Sequence, residues 1–364
     1  MSLTVLQVAY PLAPVSRDAV GGAEQIVSAL DRAVVASGHR SVVVACSGSA
    51  VDGTLHSNEC DPNQDFDDDL RCRAQEAQER AIAGALRRWP VDVIHMHGID
   101  FDAYLPDSNI PVLVTLHLPL SWYAAEALLP RRRHIYFHCV SRSQQSGSAV
   151  GTILLPPIEN GVPVPQLGWQ GRSGSFALAL GRVCPEKGFH LAVEACRRAE
   201  IDLIIAGRIF NYPEHQQYFR QELAPRLDAR RCYIGPVDHR EKQRLLATAR
   251  CLLVPSLAPE TSSLAAMEAL ACGTPVIAFG AGALTEIVEH ERTGFLVNDA
   301  DAMAAAIKTV DTIDPEACRA GVRRRFSAAR MIAQYLDRYR ELVEACPGPA
   351  YRVDRLDGSY ESRL

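Results

Sequence analysis

The chain has 364 residues, more than a single hydrophobic core usually holds, so two domains are expected. Its 48% hydrophobic and 22% charged residues are ordinary for a water-soluble α/β protein, and a net charge of −5 argues against nucleic-acid binding. No apolar run reaches the ~18–20 residues of a membrane-spanning helix, and we expect no signal peptide before the first strand. The 11 cysteines, without a C-x-x-C pair, predict a reduced, cytoplasmic protein.

The first half of the chain alternates short apolar runs with helical segments. The apolar runs predict strands at 3–9, 41–46, 92–97, 111–117, 134–140 and 152–157. Helices are predicted from Gly22 to a stop at Gly38 and over 73–89, and the polar segment 47–68 is predicted to be a long loop. Such alternation is typical of a parallel sheet covered on both faces.

The pattern begins again after a segment rich in Pro, Gly and Ser at 162–175, which is interpreted as a linker. Further strands are predicted at 176–181, 202–207, 232–235 and 251–255, with two more inside 255–297. Helices are predicted from Lys187 and at 213–224, 239–248, 314–326 and 328–345. We therefore predict two tandem Rossmann-like domains, 1–165 and 172–327, followed by 328–364 with a loosely ordered tail after Pro347.

Two glutamates, Glu260 and Glu268, frame the start of a predicted helix. Between them Thr261, Ser262 and Ser263 supply an N-cap and a first turn of free backbone N–H groups. Such a helix start binds anions, phosphate in particular. Flanking carboxylates would repel a bare phosphate, so they favour a ligand that also carries hydroxyls, such as a sugar nucleotide.

Glycine turns follow the first strand of each predicted domain. In GRVCPEKG (181–188), Arg182 and Lys187 can reach one diphosphate from two directions, although a solvated surface pair is an equally good interpretation. Gly21 and Gly22 would allow a phosphate to approach the backbone, or form a plain turn. The dinucleotide-binding G-x-G-x-x-G and the P-loop pattern are both absent from the sequence.

Histidines end two strands of the first predicted sheet. His97 and His117 lie at the edge where ligands bind in such folds, and each can hydrogen-bond a hydroxyl or a phosphate or assist proton movement. His117 is the better candidate because an aromatic loop follows it. His95 is expected to face the opposite side of the sheet from His97.

Three charged segments are given their ordinary interpretation. Asp67–Asp69 contains D-x-D, which can hold a divalent metal under a diphosphate, but acids are also favourable at a helix start. The basic segments Arg131–Arg133 and Arg87–Trp89 could touch anionic lipid headgroups, but a solvated basic face is favoured over such peripheral membrane contact.

Together these segments resemble the retaining glycosyltransferases of family four. The stretch with Glu260 and Glu268, an E-x7-E pattern followed by CGTPVIAFGAGALTEIVEHERTGFLV, is the most specific part of the resemblance. GRVCPEKG is similar to the family's phosphate-binding turn and VGGAE (20–24) to its first glycine loop. DVIHMHG (92–98), VTLH (114–117), VSRSQ (140–144) and ENGV (159–162) follow in the family's order.

The resemblance implies a GT-B fold, in which the two domains face a central cleft that holds a nucleotide sugar and 328–364 crosses back to the N-terminal domain. By position, Arg182 and Lys187 would neutralise the diphosphate, Glu268 would accept hydrogen bonds from the ribose, and Glu260 would contact the transferred sugar. His117 would lie near the reacting sugar, so that the implied catalytic residues are His117, Glu260, Arg182 and Lys187. The implied donor-binding residues also include Gly21, Gly22, His97, Ser262, Ser263, Leu264 and Glu268.

The implied reaction is the transfer of a hexose-type sugar, with retention and without a metal or other cofactor. The donor would be a UDP-sugar rather than a GDP-sugar, and the acceptor a small molecule, a saccharide or a lipid-linked hydroxyl. Thr261-Ser262-Ser263 replaces the family's usual Pro-Phe-Gly, which leaves the identity of the sugar open. A sugar-nucleotide epimerase and a catalytically inactive sugar-nucleotide-binding protein remain as alternatives, whereas the missing G-x-G-x-x-G disfavours a nicotinamide-dependent oxidoreductase.

Overall fold

Two parallel β-sheets organise the chain in the computed structural model, which describes residues 2–61, 64, 66–129, 134–148, 153–164 and 174–346. The first sheet contains β1 (Thr4–Val8), β2 (Arg40–Ala45), β3 (Thr54–Ser57), β4 (Val93–Met96), β5 (Val112–Leu116), β6 (Ile135–Cys139) and β7 (Leu154–Leu155). The second contains β8 (Phe176–Leu180), β9 (Asp202–Ala206), β10 (Arg231–Tyr233), β11 (Cys251–Val254), β12 (Val276–Phe279) and β13 (Gly294–Val297). The predicted tail after Pro347, most of the predicted linker and Arg131–Arg133 lie outside the described residues.

Helices connect the strands of each sheet. They are α1 (Gly22–Ala36), α2 (Asp68–Arg88), α3 (Arg142–Ser146), α4 (Phe189–Arg198), α5 (Pro213–Tyr218), α6 (His239–Thr248), α7 (Leu264–Cys272), α8 (Leu284–Ile287), α9 (Ala300–Thr309), α10 (Pro315–Arg325) and α11 (Ala328–Ala345). Gly38, at φ 76°, adopts the left-handed conformation that stops α1, as predicted. Within the described ranges, no helix combines the length and apolar character needed to cross a bilayer.

The strand order reverses once in each sheet. The orders are β3-β2-β1-β4-β5-β6-β7 and β10-β9-β8-β11-β12-β13, and the paired strands run parallel. The predicted class, two doubly wound α/β sheets in tandem, is confirmed. Ligands in such sheets bind beyond the carboxyl ends of the strands, where the order reverses. The loops after β1 and β4, and after β8 and β11, are therefore the ones to examine.

Three local predictions were wrong. The segment predicted as a loop at 47–68 contains β3, a half-exposed edge strand whose sequence, TLHS, has no apolar run to signal it. Helix α2 begins at Asp68 rather than Arg73, because the Asp67 carboxylate accepts a hydrogen bond from the Leu70 N–H at 2.6 Å. This cap agrees with the helix-start interpretation of the aspartates. Helix α9 was not predicted at all.

The last helix returns to the first sheet. Met331, Tyr335, Tyr339 and Leu342 of α11 are buried in one cluster with apolar residues of β1 and α1. The backbone crosses between the sheets twice, and the two crossings lie side by side. There the Val162 N–H donates to the Phe326 carbonyl, and the Ala328 N–H donates to the Val162 carbonyl. The two crossings lie too close for a side chain between them, because a Cβ on Gly161 would lie 2.5 Å from the Ser327 carbonyl oxygen.

Glu159 joins the two crossings by ion pairs. Its carboxylate accepts from Arg325 at 2.9 Å and from Arg330 at 3.0 Å, and its side chain is only 6% exposed. A buried carboxylate needs such partners, because desolvation of an unpaired charge is unfavourable.

We expect Glu159→Ala to lower the free energy of unfolding by about 2 kcal/mol, below the range for fully buried pairs because both arginines are partly exposed to water. Urea unfolding measures this directly. The matched control is Glu344→Ala on the exposed face of α11, where a change within ~0.5 kcal/mol is expected. Equal effects of the two substitutions would contradict the role assigned to Glu159.

Candidate functional site

A cleft of about 440 Å³ separates the two sheets and is lined by residues from both. The first sheet contributes the loop after β1 with Gly21 and Gly22, and the residues that follow β4 and β5, His97 and His117. The second sheet contributes residues 180–182 and Lys187 after β8, and 260–265 after β11. The volume suits a small-molecule ligand. All the residues predicted as donor-binding line this one cleft.

An ion pair between two residues that line the cleft joins Lys187 to Glu260. Lys187 Nζ lies 2.5 Å from Glu260 Oε1, and the two side chains are 24% and 10% exposed. The Ser256 hydroxyl donates to the same carboxylate oxygen at 2.5 Å. The ammonium has three donors, so Lys187 can hold Glu260 and still contact a ligand anion.

A second ion pair, not predicted from the sequence, holds Glu268. Lys242 Nζ of α6 lies 2.7 Å from Glu268 Oε1, with both side chains about 13–14% exposed, and 3.5 Å from Gln25 Oε1 across the cleft. Lys242 lies in an ordinary charged helix, HREKQR, so only its contact with α7 distinguishes it from a surface lysine. Because Lys242 engages one oxygen, the second oxygen of Glu268 can accept further hydrogen bonds.

The N-terminus of α7 opens into the cleft. Ser263 is its N-cap, as predicted, but the Ser263 side chain makes no capping bond. The first bond within the helix runs from the Met267 N–H to Ser263, so the N–H groups of 264–266 have no acceptor in the helix. Within the described ranges, the buried Ser262 hydroxyl oxygen also has no hydrogen-bond partner. Free donors of this kind are suited to an anionic ligand.

Thr261 connects the two sides of the cleft. Its hydroxyl donates to the backbone carbonyl of His117 at 2.7 Å. The residue that departs from the family pattern therefore bridges the domains, which the sequence alone did not predict.

The other helix start in the cleft, at α1, is covered by the chain's own carboxylate. A Cβ on Gly21 would lie 1.8 Å from Glu24 Oε2, so Gly21 is needed to make room for that side chain. Burial raises the pKa of Glu24 above its usual range, and the neighbouring Arg182 opposes the shift. A Cβ on Gly22 would lie 3.5 Å from Leu264 Cδ1, on the other side of the cleft. Because the Glu24 carboxyl group already covers Gly21 at the N-terminus of α1, the N-terminus of α7 is the better candidate for binding a phosphate.

His97 and His117 contact one another at the sheet edge. His97 Nδ1 lies 3.0 Å from His117 Nε2, and within the described ranges the buried Nε2 of His97 has no partner. Burial lowers the pKa of His117 to about 3 and that of His97 well below its usual range. A neutral imidazole with so low a pKa is a weak base but a good hydrogen-bonding group.

His95 lies on the same side of the sheet as His97, contrary to the prediction. The two rings are 3.9 Å apart, because side chains two residues apart in a strand share one face. The prediction misapplied this alternation.

A buried polar chain continues from His95 towards α11. His138 Nδ1 lies 3.0 Å from the Cys139 carbonyl, so it must carry the proton, and Nε2 then accepts from the Thr115 hydroxyl at 2.7 Å. Having donated its only proton, Thr115 accepts from His95 Nε2 at 2.7 Å, and His95 Nδ1 accepts from Tyr339 at 2.7 Å. One assignment with neutral rings satisfies all of these contacts.

We expect the protein to lose stability as the pH falls below 6.5. Burial lowers the pKa of His138 to about 4 and of His117 to about 3, and shifts His95 and His97 in the same direction. The unfolded chain therefore binds more protons than the folded chain between these values and 6.5, so acid favours unfolding. Unfolding near pH 5 should take up about four protons from these side chains.

The slope of unfolding free energy against pH measures this uptake. His138→Gln should reduce the uptake by about one proton. A slope that is flat between pH 7 and about 5, or unchanged by the substitution, would contradict the linkage.

Family models match both halves of the chain. Residues 20–150 match the model described as Glycosyltransferase Family 4, and residues 172–321 match Glycosyl transferases group 1. The two matches cover the loops that line both sides of the cleft.

Relatives and solved structures agree with these matches. The chain is 26% identical over 382 residues to a glycogen synthase of Mycobacterium tuberculosis, covering 90% of this chain and 89% of the relative. It is 26% identical over 339 residues to a phosphatidyl-myo-inositol mannosyltransferase of Mycolicibacterium smegmatis, covering 85% of each.

The fold is similar to that of sucrose-phosphate synthase from Thermosynechococcus elongatus, with a TM-score of 0.78 at 20% identity, covering 94% of this chain and 100% of that one. It is also similar to Anabaena HepE in complex with UDP and glucose, with a TM-score of 0.71 at 17% identity, covering 93% and 100%. The chain thus has a two-domain GT-B fold, and a region of each domain matches a glycosyltransferase family model.

Proposed function

We propose that the chain is a retaining glycosyltransferase that moves a hexose-type sugar from a UDP-sugar to an acceptor hydroxyl without a metal. The observation that carries the proposal is the meeting of Lys187, Arg182 and the open N-terminus of α7 in one cleft with two carboxylates, Glu260 and Glu268. Cations and free N–H groups suit a diphosphate, and carboxylates suit the hydroxyls on either side of it.

The electrostatics of the cleft fit departure of a diphosphate. When the bond from the sugar C1 to the phosphate oxygen breaks, negative charge develops on that oxygen. Lys187, held by Glu260, and the N–H groups of α7 are fixed donors near such a charge, and Arg182 adds a second cation to the lining of the cleft. Donors arranged in this way stabilise a transition state more than a ground state. Glu260, already held by Lys187 and Ser256, would orient the sugar through its hydroxyls.

Retention is proposed through attack on the face from which the phosphate leaves. The acceptor oxygen forms its bond to C1 while the phosphate departs, and the acceptor proton passes to the departing phosphate oxygen. The low pKa of His117 argues against that residue as the base, since a neutral ring with a pKa of about 3 accepts a proton poorly. His117 would instead hydrogen-bond the reacting sugar.

The relatives give independent support for the class of donor and acceptor. HepE has been solved with UDP-glucose, and the relatives named above include a mannosyltransferase that acts on a phosphatidyl-myo-inositol. These properties belong to those proteins. For the present chain they favour a hexose nucleotide, with a saccharide or a lipid-linked molecule as acceptor.

A donor panel tests the proposal. UDP-, GDP- and ADP-hexoses are compared by thermal shift, and the best donor is then incubated with candidate acceptors in the presence of EDTA. We expect UDP-hexoses to give the largest shift, transfer to survive EDTA, and NMR to show a product linkage of the donor's anomeric configuration.

The same panel separates the alternatives. Conversion of the nucleotide sugar without an acceptor would identify an epimerase, and binding without any turnover would identify an inactive sugar-nucleotide-binding protein. Inversion of the anomeric centre, or a strict requirement for Mg²⁺ or Mn²⁺, would overturn the proposed mechanism while leaving the transferase class intact.

A further inference from the structure

Three side chains of types that can bind a metal form a cluster beside the cleft. Cys184 and Glu186 lie in the turn between β8 and α4, and His215 lies in α5. One ligand atom from each of the three lies within 4.8 Å of the others. Cys184 and His215 are buried and Glu186 is partly exposed, so the cluster has one side open to solvent. None of the three residues lines the cleft itself.

The protein contacts within the cluster leave His215 incompletely satisfied. The Cys184 thiol donates to the Arg182 carbonyl, with 3.7 Å between sulfur and oxygen. His215 is only 8% exposed, yet its Nδ1 atom is buried and has no hydrogen-bond partner within the described ranges. A buried nitrogen without a partner is unfavourable, which points to a ligand at this position.

We propose that Cys184, Glu186 and His215 bind a thiophilic divalent cation of the Zn²⁺ class. Sulfur, carboxylate oxygen and imidazole nitrogen are the ligands that Zn²⁺ prefers, and three protein ligands leave a fourth position for water. Ligand bonds of about 2.0–2.3 Å require the donor atoms to approach to roughly 3.5 Å. The partly exposed Glu186 is the ligand that can move by this distance. Binding displaces the Cys184 thiol proton to solvent.

The charges around the cluster permit a cation. Arg182 and Lys187 oppose a positive charge there, whereas Glu186 and Glu214 favour one. A bound thiolate and the Glu186 carboxylate supply two negative charges to the metal. The aromatic rings of Tyr212 and Phe210 lie edge-on to His215, with ring centroids at 5.0 and 6.4 Å.

The location indicates a role in holding the site together rather than in the chemistry. The turn that carries Cys184 and Glu186 also carries Arg182 and Lys187, and Tyr212 beside His215 lines the cleft. A cation would connect this turn to α5 and restrict the geometry of both. The inference does not rest on the proposed function, since it concerns a separate set of atoms.

Cobalt and zinc titrations of the full chain test the inference. We expect one equivalent of Co²⁺ to give a thiolate-to-cobalt charge-transfer band, and Zn²⁺ to displace it. Cys184→Ser should abolish the band, and Cys184→Ser and His215→Gln should each weaken Zn²⁺ binding at least tenfold. Matched controls are Cys72→Ser, an exposed thiol on α2, and His290→Gln, a half-exposed histidine.

The controls are needed because all 11 cysteines are free thiols and could take up metal nonspecifically. Binding that is equal in all variants, or no stoichiometric binding by the unmodified chain, would overturn the inference. A rise in melting temperature with Zn²⁺ in the controls but not in Cys184→Ser would support it independently. None of these measurements uses a sugar donor, so their failure and the failure of the proposed function are distinguishable.

Discussion

Lys187→Ala is expected to lower the turnover of sugar transfer by about 10²–10³-fold. Lys187 is held in place in the cleft by its 2.5 Å ion pair with Glu260. Its loss removes positive charge from the departing diphosphate and also leaves Glu260, whose side chain is 10% exposed, without its counter-ion. The measurement is kcat with the donor identified by the panel above.

Lys308→Ala is the matched control, since Lys308 is an exposed lysine on α9 of the same domain. Its turnover should equal that of the unmodified chain. Near-normal turnover by purified, folded Lys187→Ala would reject Lys187 as a catalytic residue.

A double-mutant cycle separates the two effects of Lys187. If Lys187 acts only by holding Glu260, then Lys187→Ala combined with Glu260→Gln should be no slower than Glu260→Gln alone. If Lys187 neutralises the diphosphate itself, the double variant should be slower by a further factor of about 10². We expect the second result, because an ammonium has donors to spare after one contact with a carboxylate.

The strands could be predicted well where the apolar pattern of the sequence matches the burial of the residues in the fold. Strands such as β11 and β12 are buried along their whole length, so they appear in the sequence as continuous apolar runs. Strand β3 could not be found this way, because it lies at the sheet edge and all four of its residues are exposed or half-exposed. Its pairing with β2 is a property of the sheet rather than of its own sequence.

The site could be predicted only in part, because its contacts join distant segments. Lys242 and Glu268 are 26 residues apart, and Thr261 meets the His117 carbonyl from 144 residues away. Contacts between residues so far apart in the chain leave no pattern within any short segment of the sequence. The glycine at 21 illustrates the same limit, since the sequence suggests room for a phosphate whereas the room is taken by Glu24.

The Thr261–His117 contact gives the family departure a physical meaning. A threonine hydroxyl can donate to the carbonyl across the cleft, and a proline at this position has no comparable donor. The bond lies beside His117 and next to Glu260, the two residues proposed to meet the transferred sugar. The bond therefore holds the loop that carries Glu260 against the backbone of His117.

Glu268→Ala should weaken donor binding by about 10- to 100-fold, since a hydrogen bond to a charged group contributes about 1.5–3 kcal/mol. The Glu268 side chain is 14% exposed and fixed by Lys242 at 2.7 Å, so its carboxylate is positioned before the ribose arrives. The ribose hydroxyls are remote from the bond that breaks. The weaker binding should therefore appear mainly as a higher KM for the donor. Most transfer should disappear when the donor concentration is below this KM.

Calorimetric titration with the nucleotide alone measures this directly, since the ribose contact requires no sugar. Lys242→Ala serves as the comparison, because it frees the Glu268 carboxylate without removing it and should weaken binding less than Glu268→Ala does. Glu344→Ala, on the exposed face of α11, should bind as the unmodified chain does. If nucleotide affinity is unchanged in folded Glu268→Ala, the ribose does not lie at Glu268, and the donor must be oriented differently between Lys187 and α7.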